Sequence, residues 1–219
     1  MKSFVEYSNV GYGSYENQDF KEGDEIVITT KLNGIAARYG WHLYEANTWW
    51  KKVLRFFNLV PKWVFCYGNK WTHITKELED NHISIYNEIA KQEAFQYLRH
   101  GYTVYGEIVG AEAYTDHHYG CLPDQHMFYC YDVRDNVNNK WLDHDDMEEF
   151  CLDHGIDTVP VQFRGHYTHG MVANYIDYNP ISTETNEGVV VKHVKEQDHP
   201  MGRQIFKFIN RDFNEEMND

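Results

Sequence analysis

Short β-branched and aromatic runs recur along this chain, and few helical periods lie between them. Glu25 to Thr30, Ile35 to Tyr44, Trp63 to Tyr67, Tyr102 to Val109, Met127 to Val133, Gly188 to Val194 and Ile205 to Ile209 all read as strands. Ile83 to Arg99 reads as a helix, with Ile85, Ile89, Ala90, Phe95 and Leu98 at helical spacing. Asp143 to His154 reads as a second, with Met147, Phe150 and Cys151 on one face and Gly155 just past its end. Trp49 to Leu59 is aromatic and basic and is a third helical candidate. Strands outnumber helices and do not alternate with them. This predicts an α+β fold of largely antiparallel sheet with flanking helices. Leu32-Asn33-Gly34 is then the turn between the first two strands.

With 219 residues and 42% hydrophobic content, the chain can bury a sizeable core in one domain. Residues 1–17 read as an irregular lead-in, and 214–219 as an acidic tail that frays from Phe213 onward. No apolar run is long enough for a transmembrane helix, and the start lacks a signal peptide. These features point away from a membrane and towards the cytoplasm, the host's if the chain is phage-encoded. Cys66, Cys121, Cys130 and Cys151 form no C-x-x-C pair, so free thiols are expected. The 13 histidines, His117-His118 included, fit no standard zinc spacing. A net charge of −14 argues against a broad nucleic-acid surface, but not against a local basic cleft or a nucleotide site.

Five phrases could carry chemistry. In Ile28-Thr29-Thr30-Lys31-Leu32-Asn33-Gly34 an apolar strand runs into a lysine, with a glycine three residues later. A desolvated amine there would be a nucleophile towards a phosphoryl centre, and Gly34 would let a phosphate or a backbone segment come close. On this fragment alone, a solvated turn lysine fits as well. Glu107 projects from the apolar strand around Tyr105-Gly106, either as an edge residue or towards a metal or ligand hydroxyl. The aromatic run Met127 to Tyr131 ends in Asp132 and could stack on a purine or simply fill the core. Glu187 and Lys192 bracket Gly188-Val189-Val190-Val191. Strict alternation would send these two side chains to opposite faces unless a bulge or twist intervenes. Lys207, between Phe206 and Phe208, faces away from both.

Taken in order, these phrases resemble the nucleotidyltransferase domain of the ATP-dependent RNA ligases, in the covalent lysine nucleotidyltransferase superfamily. Lys31-Leu32-Asn33-Gly34 resembles the nucleophile motif, Tyr105-Gly106-Glu107 the third, Glu187 to Lys192 the fourth and Phe206-Lys207 the fifth. Phe128 to Asp132 with Trp141-Leu142-Asp143 is similar to the aromatic-plus-aspartate motif between them. The resemblance spans roughly residues 18–213.

It implies a single nucleotidyltransferase domain over 1–219, of the DNA ligase adenylation-domain (ATP-grasp-like) type, with an ATP cleft and no OB-fold. By this resemblance Lys31 attacks the α-phosphate of ATP to form lysyl-AMP. AMP then passes to an RNA 5′-phosphate, and a 3′-OH displaces it. Thr30 and Leu32 would line the nucleotide, Glu107 would hold the ribose and Tyr131 would stack on adenine. Glu187 would bind Mg²⁺ or Mn²⁺. Lys192 and Lys207 would neutralise the α-phosphate, and Lys70, in the nearest match to a Gly-Ser-Arg phrase, would add a cation. RNA would be gripped locally or by a protein partner. Thr30, Asn33 and Ile205 depart from the family pattern. They leave open a catalytically silent nucleotide-binding member. A GTP-using, capping-type enzyme is a third reading.

Overall fold

The structure is a computed structural model that describes residues 4–7, 10–13, 20–44, 46, 48–69, 73–74, 81–110, 119–122, 125–183, 185–199 and 202–216. In chain order the elements are β1 (Gly11–Tyr12), β2 (Glu25–Thr30), β3 (Ile35–Leu43), α1 (Trp49–Phe56), β4 (Trp63–Gly68) and β5 (His73–Ile74). Next come α2 (Asn81–Ala90), α3 (Glu93–Gln96), β6 (Tyr102–Gly110), β7 (His126–Asp135), β8 (Lys140–Trp141), α4 (His144–His154) and β9 (Val161–His166). A 3₁₀ turn at Met171–Asn174 leads to β10 (Gly188–His193), β11 (Asp198–His199), β12 (Gly202–Arg203), β13 (Ile205–Ile209) and α5 (Arg211–Glu216). Five strands form one sheet in the order β1-β13-β10-β2-β9, and six form a second in the order β5-β4-β3-β6-β7-β8. Among the described residues, the strands of these two sheets pair antiparallel except β1 with β13.

Period-2 alternation divides each sheet between a core and a cleft. In the five-stranded sheet Ile26, Ile28, Val189, Val191, Phe206 and Phe208 pack against Phe20, Tyr167, Val172 and Ile176. In the six-stranded sheet Tyr39, Val104, Ile108, Phe128 and Val133 pack under the helices, against Ile85, Ile89, Phe95, Met147 and Phe150. Gly155, with φ +66°, ends α4 in the left-handed conformation expected there.

Several expectations are corrected. Leu32 to Gly34 is not a turn between paired strands. Both edges of β2 are taken by β9 and β10, so the chain crosses to the other sheet before β3. The long helix is two, because Gln92 is extended (φ −63°, ψ 144°) and breaks it. The lead-in holds β1; Phe213 is buried and α5 runs to Glu216, and the last residues of the expected acidic tail, 217–219, lie outside the described residues. Strand β9 lacks an apolar alternation, being an edge strand with exposed Val161 and Arg164. The four cysteines are free. Among the described residues no helix is long and apolar enough to cross a membrane. His117-His118 and Lys70 lie outside the described residues.

The opening residue of α4 makes stability pH-dependent. His144 is 2% exposed, and burial, with Lys192 adding to it, lowers its pKa from 6.5 to about 4. As pH falls below 6.5 the unfolded chain takes up a proton that the native one refuses. Stability should therefore be lost progressively until about pH 4, by about 3 kcal/mol. Urea midpoints measured from pH 7 to 4.5 are expected to fall less in His144→Phe than in the native chain. Parallel curves for the two proteins would refute this.

Candidate functional site

The cleft-facing sides of the two sheets enclose a cavity of about 480 Å³. Lys31 enters it directly after β2. Its backbone N–H donates to Gly188 O (2.9 Å), which ties the nucleophile candidate to β10. Its Nζ forms an ion pair with Glu187 Oε1. Glu187 precedes β10 instead of belonging to it, so strand alternation does not apply. Gly188, with φ +143° and no room for a Cβ, which would stand 2.1 Å from Phe208 O, provides the bend that brings the carboxylate to Lys31. Lys192, two residues on from the cleft-lining Val190, lines the same face of β10. Lys207 lines the cavity from β13, lying 4.0 Å over the ring of Tyr12.

The opposite wall comes from β6 and β7, with Glu107 and Tyr131. Between Tyr105 and Gly106 the β6–β7 register skips one residue, so that Tyr105 pairs with Asp132 and Gly106 with Cys130. Tyr131 is the extra residue of this bulge. The bulge turns both Tyr131 and Asp132 towards the cavity, which strict alternation would forbid. Burial, then the neighbouring Glu107, pushes the Tyr131 phenol well above its ordinary pKa, so the ring stays neutral. A matching slip in β2–β9 leaves Gln162 unpaired in register, and its amide donates to Thr30 Oγ1 (3.1 Å). Leu32 is buried with Val109, Tyr119 and Val159 at the cleft floor.

The cavity thus gathers Thr30, Lys31, Leu32, Glu107, Tyr131, Lys192 and Lys207, with Glu187 on Lys31. Asp132 stands out in the sequence only as the end of an aromatic run, and Tyr7 and Arg203 carry no signal there at all. Asp132, 1% exposed, accepts from Lys192 Nζ (2.8 Å) and from Arg203 Nη1 (2.9 Å) and Nη2 (3.1 Å). Tyr7 donates to its Oδ2 and packs edge-on against Tyr131 at 5.0 Å. Arg203 also pairs with Glu196. Burial opposes the Asp132 charge, but Arg203 and Lys192 outweigh it and hold the carboxyl well below the usual range. A carboxylate ending an aromatic run was the one available signal, since such a group needs a partner when buried. The short β11–β12 hairpin that delivers Arg203 carries no comparable signature.

Gly34 is required by the backbone. A Cβ there would stand 2.3 Å from Ile108 O, so the close neighbour is a strand of the second sheet. Gly34→Ala is expected to force β3 off β6, costing about 1–3 kcal/mol, and to displace Lys31. A lowered Tm would show it; a native Tm would count against it.

The divalent-metal fit rests on Glu187, whose Oε2 is buried without a hydrogen-bond partner among the described residues. No group of three His, Cys, Asp or Glu there is disposed around a cation. One carboxylate suits Mg²⁺ or Mn²⁺ held mainly by water and phosphate oxygens, and not a protein-enclosed ion.

The RNA ligase family model matches residues 24–209. No curated protein matches the sequence significantly. Among solved structures, the chain resembles a lysine-to-alanine variant of the Naegleria gruberi RNA ligase with ATP and Mn. The TM-score is 0.69 at 14% identity, over 99% of this chain and 59% of that one. A glutamate-to-alanine variant of the same protein with AMP and Mn gives 0.68 at 15% identity, over 97% and 58%. The form with PPi gives 0.65 at 13% identity, over 100% and 63%. The chain therefore spans about three-fifths of the length of these neighbours, and the likeness is one of fold.

Proposed function

Since the chain belongs to the RNA ligase family, we propose that it is an ATP-dependent RNA ligase that carries AMP on Lys31. The observation that carries this reading is the convergence in one cleft of an amine, a carboxylate and two further lysines on one sheet, facing Glu107 and Tyr131 on the other. The N. gruberi RNA ligase structures with ATP and Mn, with AMP and Mn and with PPi support ATP as the co-substrate.

In the first step Lys31 Nζ attacks the α-phosphorus. The N–P bond forms, the bond to the bridging oxygen breaks, and pyrophosphate leaves with the electron pair. Glu187, already paired with Nζ, orients the amine and accepts its proton. Lys192 spends two N–H donors on Tyr131 O and Asp132 Oδ1, leaving its third for a phosphate oxygen. Lys207 supplies a second cation. Glu107 faces the ribose, and the neutral Tyr131 ring offers a face to the adenine. A divalent cation beside Glu187 would offset charge on the phosphates.

An RNA 5′-phosphate oxygen then attacks the same phosphorus, the P–N bond breaks and Lys31 regains its proton. A 3′-OH next attacks the activated 5′-phosphate, forming the phosphodiester and releasing AMP. Incubation with α-labelled ATP and Mg²⁺, read on a denaturing gel, should label the protein covalently. ATP binding without label would mean a catalytically silent member. Label from GTP in preference to ATP would mean a capping-type enzyme.

A further inference from the structure

Residues 46–76 contain six of the chain's 20 Lys and Arg and none of its 34 carboxylates. A net charge of −14 for the whole then leaves −20 on the remainder. The same 31 residues hold four of the six tryptophans. Near the start of this stretch lies α1, in the connection between β3 and β4. It buries none of its own side chains, so neither core requires its apolar face. Trp49, Trp50, Phe56 and Phe57 are 61%, 62%, 81% and 63% exposed. The Trp49 and Trp50 rings stack with centroids 3.9 Å apart, presenting a flat aromatic surface to solvent. Lys51, Lys52 and Arg55 are interleaved with them.

We propose that α1 and its flanks are a docking surface for single-stranded RNA, with the aromatic rings stacking on bases and Lys51, Lys52 and Arg55 contacting phosphates. This rests on the RNA ligase reading and deepens it. Exposed rings alternating with cations are the chemistry that holds an unpaired strand, because every base offers a π-face and every nucleotide a charge. A duplex keeps its bases stacked on one another and offers the rings nothing. The occupant also follows from the topology. Strand β3 leaves the cleft at Ile35 and reaches α1 after Leu43, about 26 Å at ~3.3 Å per residue. An RNA strand with its 5′-phosphate at Lys31 can run along this sheet to the helix. A lipid surface would satisfy the amphipathic face but would have no connection to the cleft.

The test is binding of a short, fluorescent, 5′-phosphorylated single-stranded RNA, followed by anisotropy across a salt series. Lys51→Glu with Lys52→Glu and Arg55→Glu should weaken binding at least tenfold and flatten log Kd against log salt by about two units of slope. Trp50→Ala with Phe56→Ala should weaken it about tenfold with little change in slope. Covalent labelling by ATP should stay within about twofold of native in both variants, which also reports that they are folded. Native RNA affinity in both variants would overturn the proposal. Binding of phosphatidylserine vesicles through α1, with RNA affinity unchanged by the substitutions, would overturn it in favour of a membrane. RNA binding that maps to α1 in a protein that takes no label from ATP would uphold this surface while refuting the catalytic reading.

Discussion

Lys31→Ala should take up no covalent label from α-labelled ATP, while the native chain labels and loses its label on addition of pyrophosphate. The expected effect is complete, because the substitution removes the atom to which AMP is bonded. Among the described residues, neither of the other cleft lysines can stand in. Lys192 is 5% exposed and held by Tyr131 O and Asp132, and Lys207 sits over Tyr12 on another strand. The fold should tolerate the change, because Lys31 is partly exposed at 23% and Glu187 keeps 15% exposure, so water can reach the carboxylate left behind. A Tm close to native together with lost labelling is therefore the predicted pair of results. Label persisting on Lys31→Ala would remove the basis of the mechanism.

The second large effect is on stability. Asp132→Asn leaves Lys192 and Arg203 beside a neutral amide in a buried site, and breaking such a cluster costs about 3–5 kcal/mol. For a chain of this size that corresponds to a fall in Tm of roughly 6–20 °C. The native carboxyl titrates below its unfolded value of about 3.9. Its contribution is thus present above that pH and lost as pH falls further. The Tm of the native chain should drop steeply below about pH 4, and that of Asp132→Asn should drop less. A variant melting within about 2 °C of native at pH 7 would show that Asp132 is not the tie between the sheets.

Much of this was legible in the sequence because period-2 alternation and strand-ending charges are local signals. Glu25–Thr30 and Ile205–Ile209 have the boundaries that were read from their β-branched and aromatic runs. The cleft position of Lys207 follows from Phe206 and Phe208 taking the other face. What could not be read was relational. Which sheet a strand joins depends on partners far along the chain, so the crossing after Lys31 looked like a turn. The bulge that exposes Tyr131 to the cleft exists only in the pairing of β6 with β7. Arg203 and Tyr7 reach Asp132 from segments with no pattern of their own. The surface of α1 was visible as composition, but its lack of buried contacts belongs to the fold.

The crossing between the sheets has a mechanical consequence. Lys31 is hydrogen-bonded to Gly188 on one sheet, and Gly34 abuts Ile108 on the other, so Leu32-Asn33 is a joint two residues long. Lys31, Glu187, Lys192 and Lys207 ride on one plate, and Glu107 and Tyr131 on its counterpart. On the reading proposed above, the bond-making groups and the nucleoside-facing groups would thereby belong to different sheets, tied together where Lys192 meets Asp132. Alterations to the base-side wall can retune which nucleotide is admitted without moving the atoms that would make and break bonds.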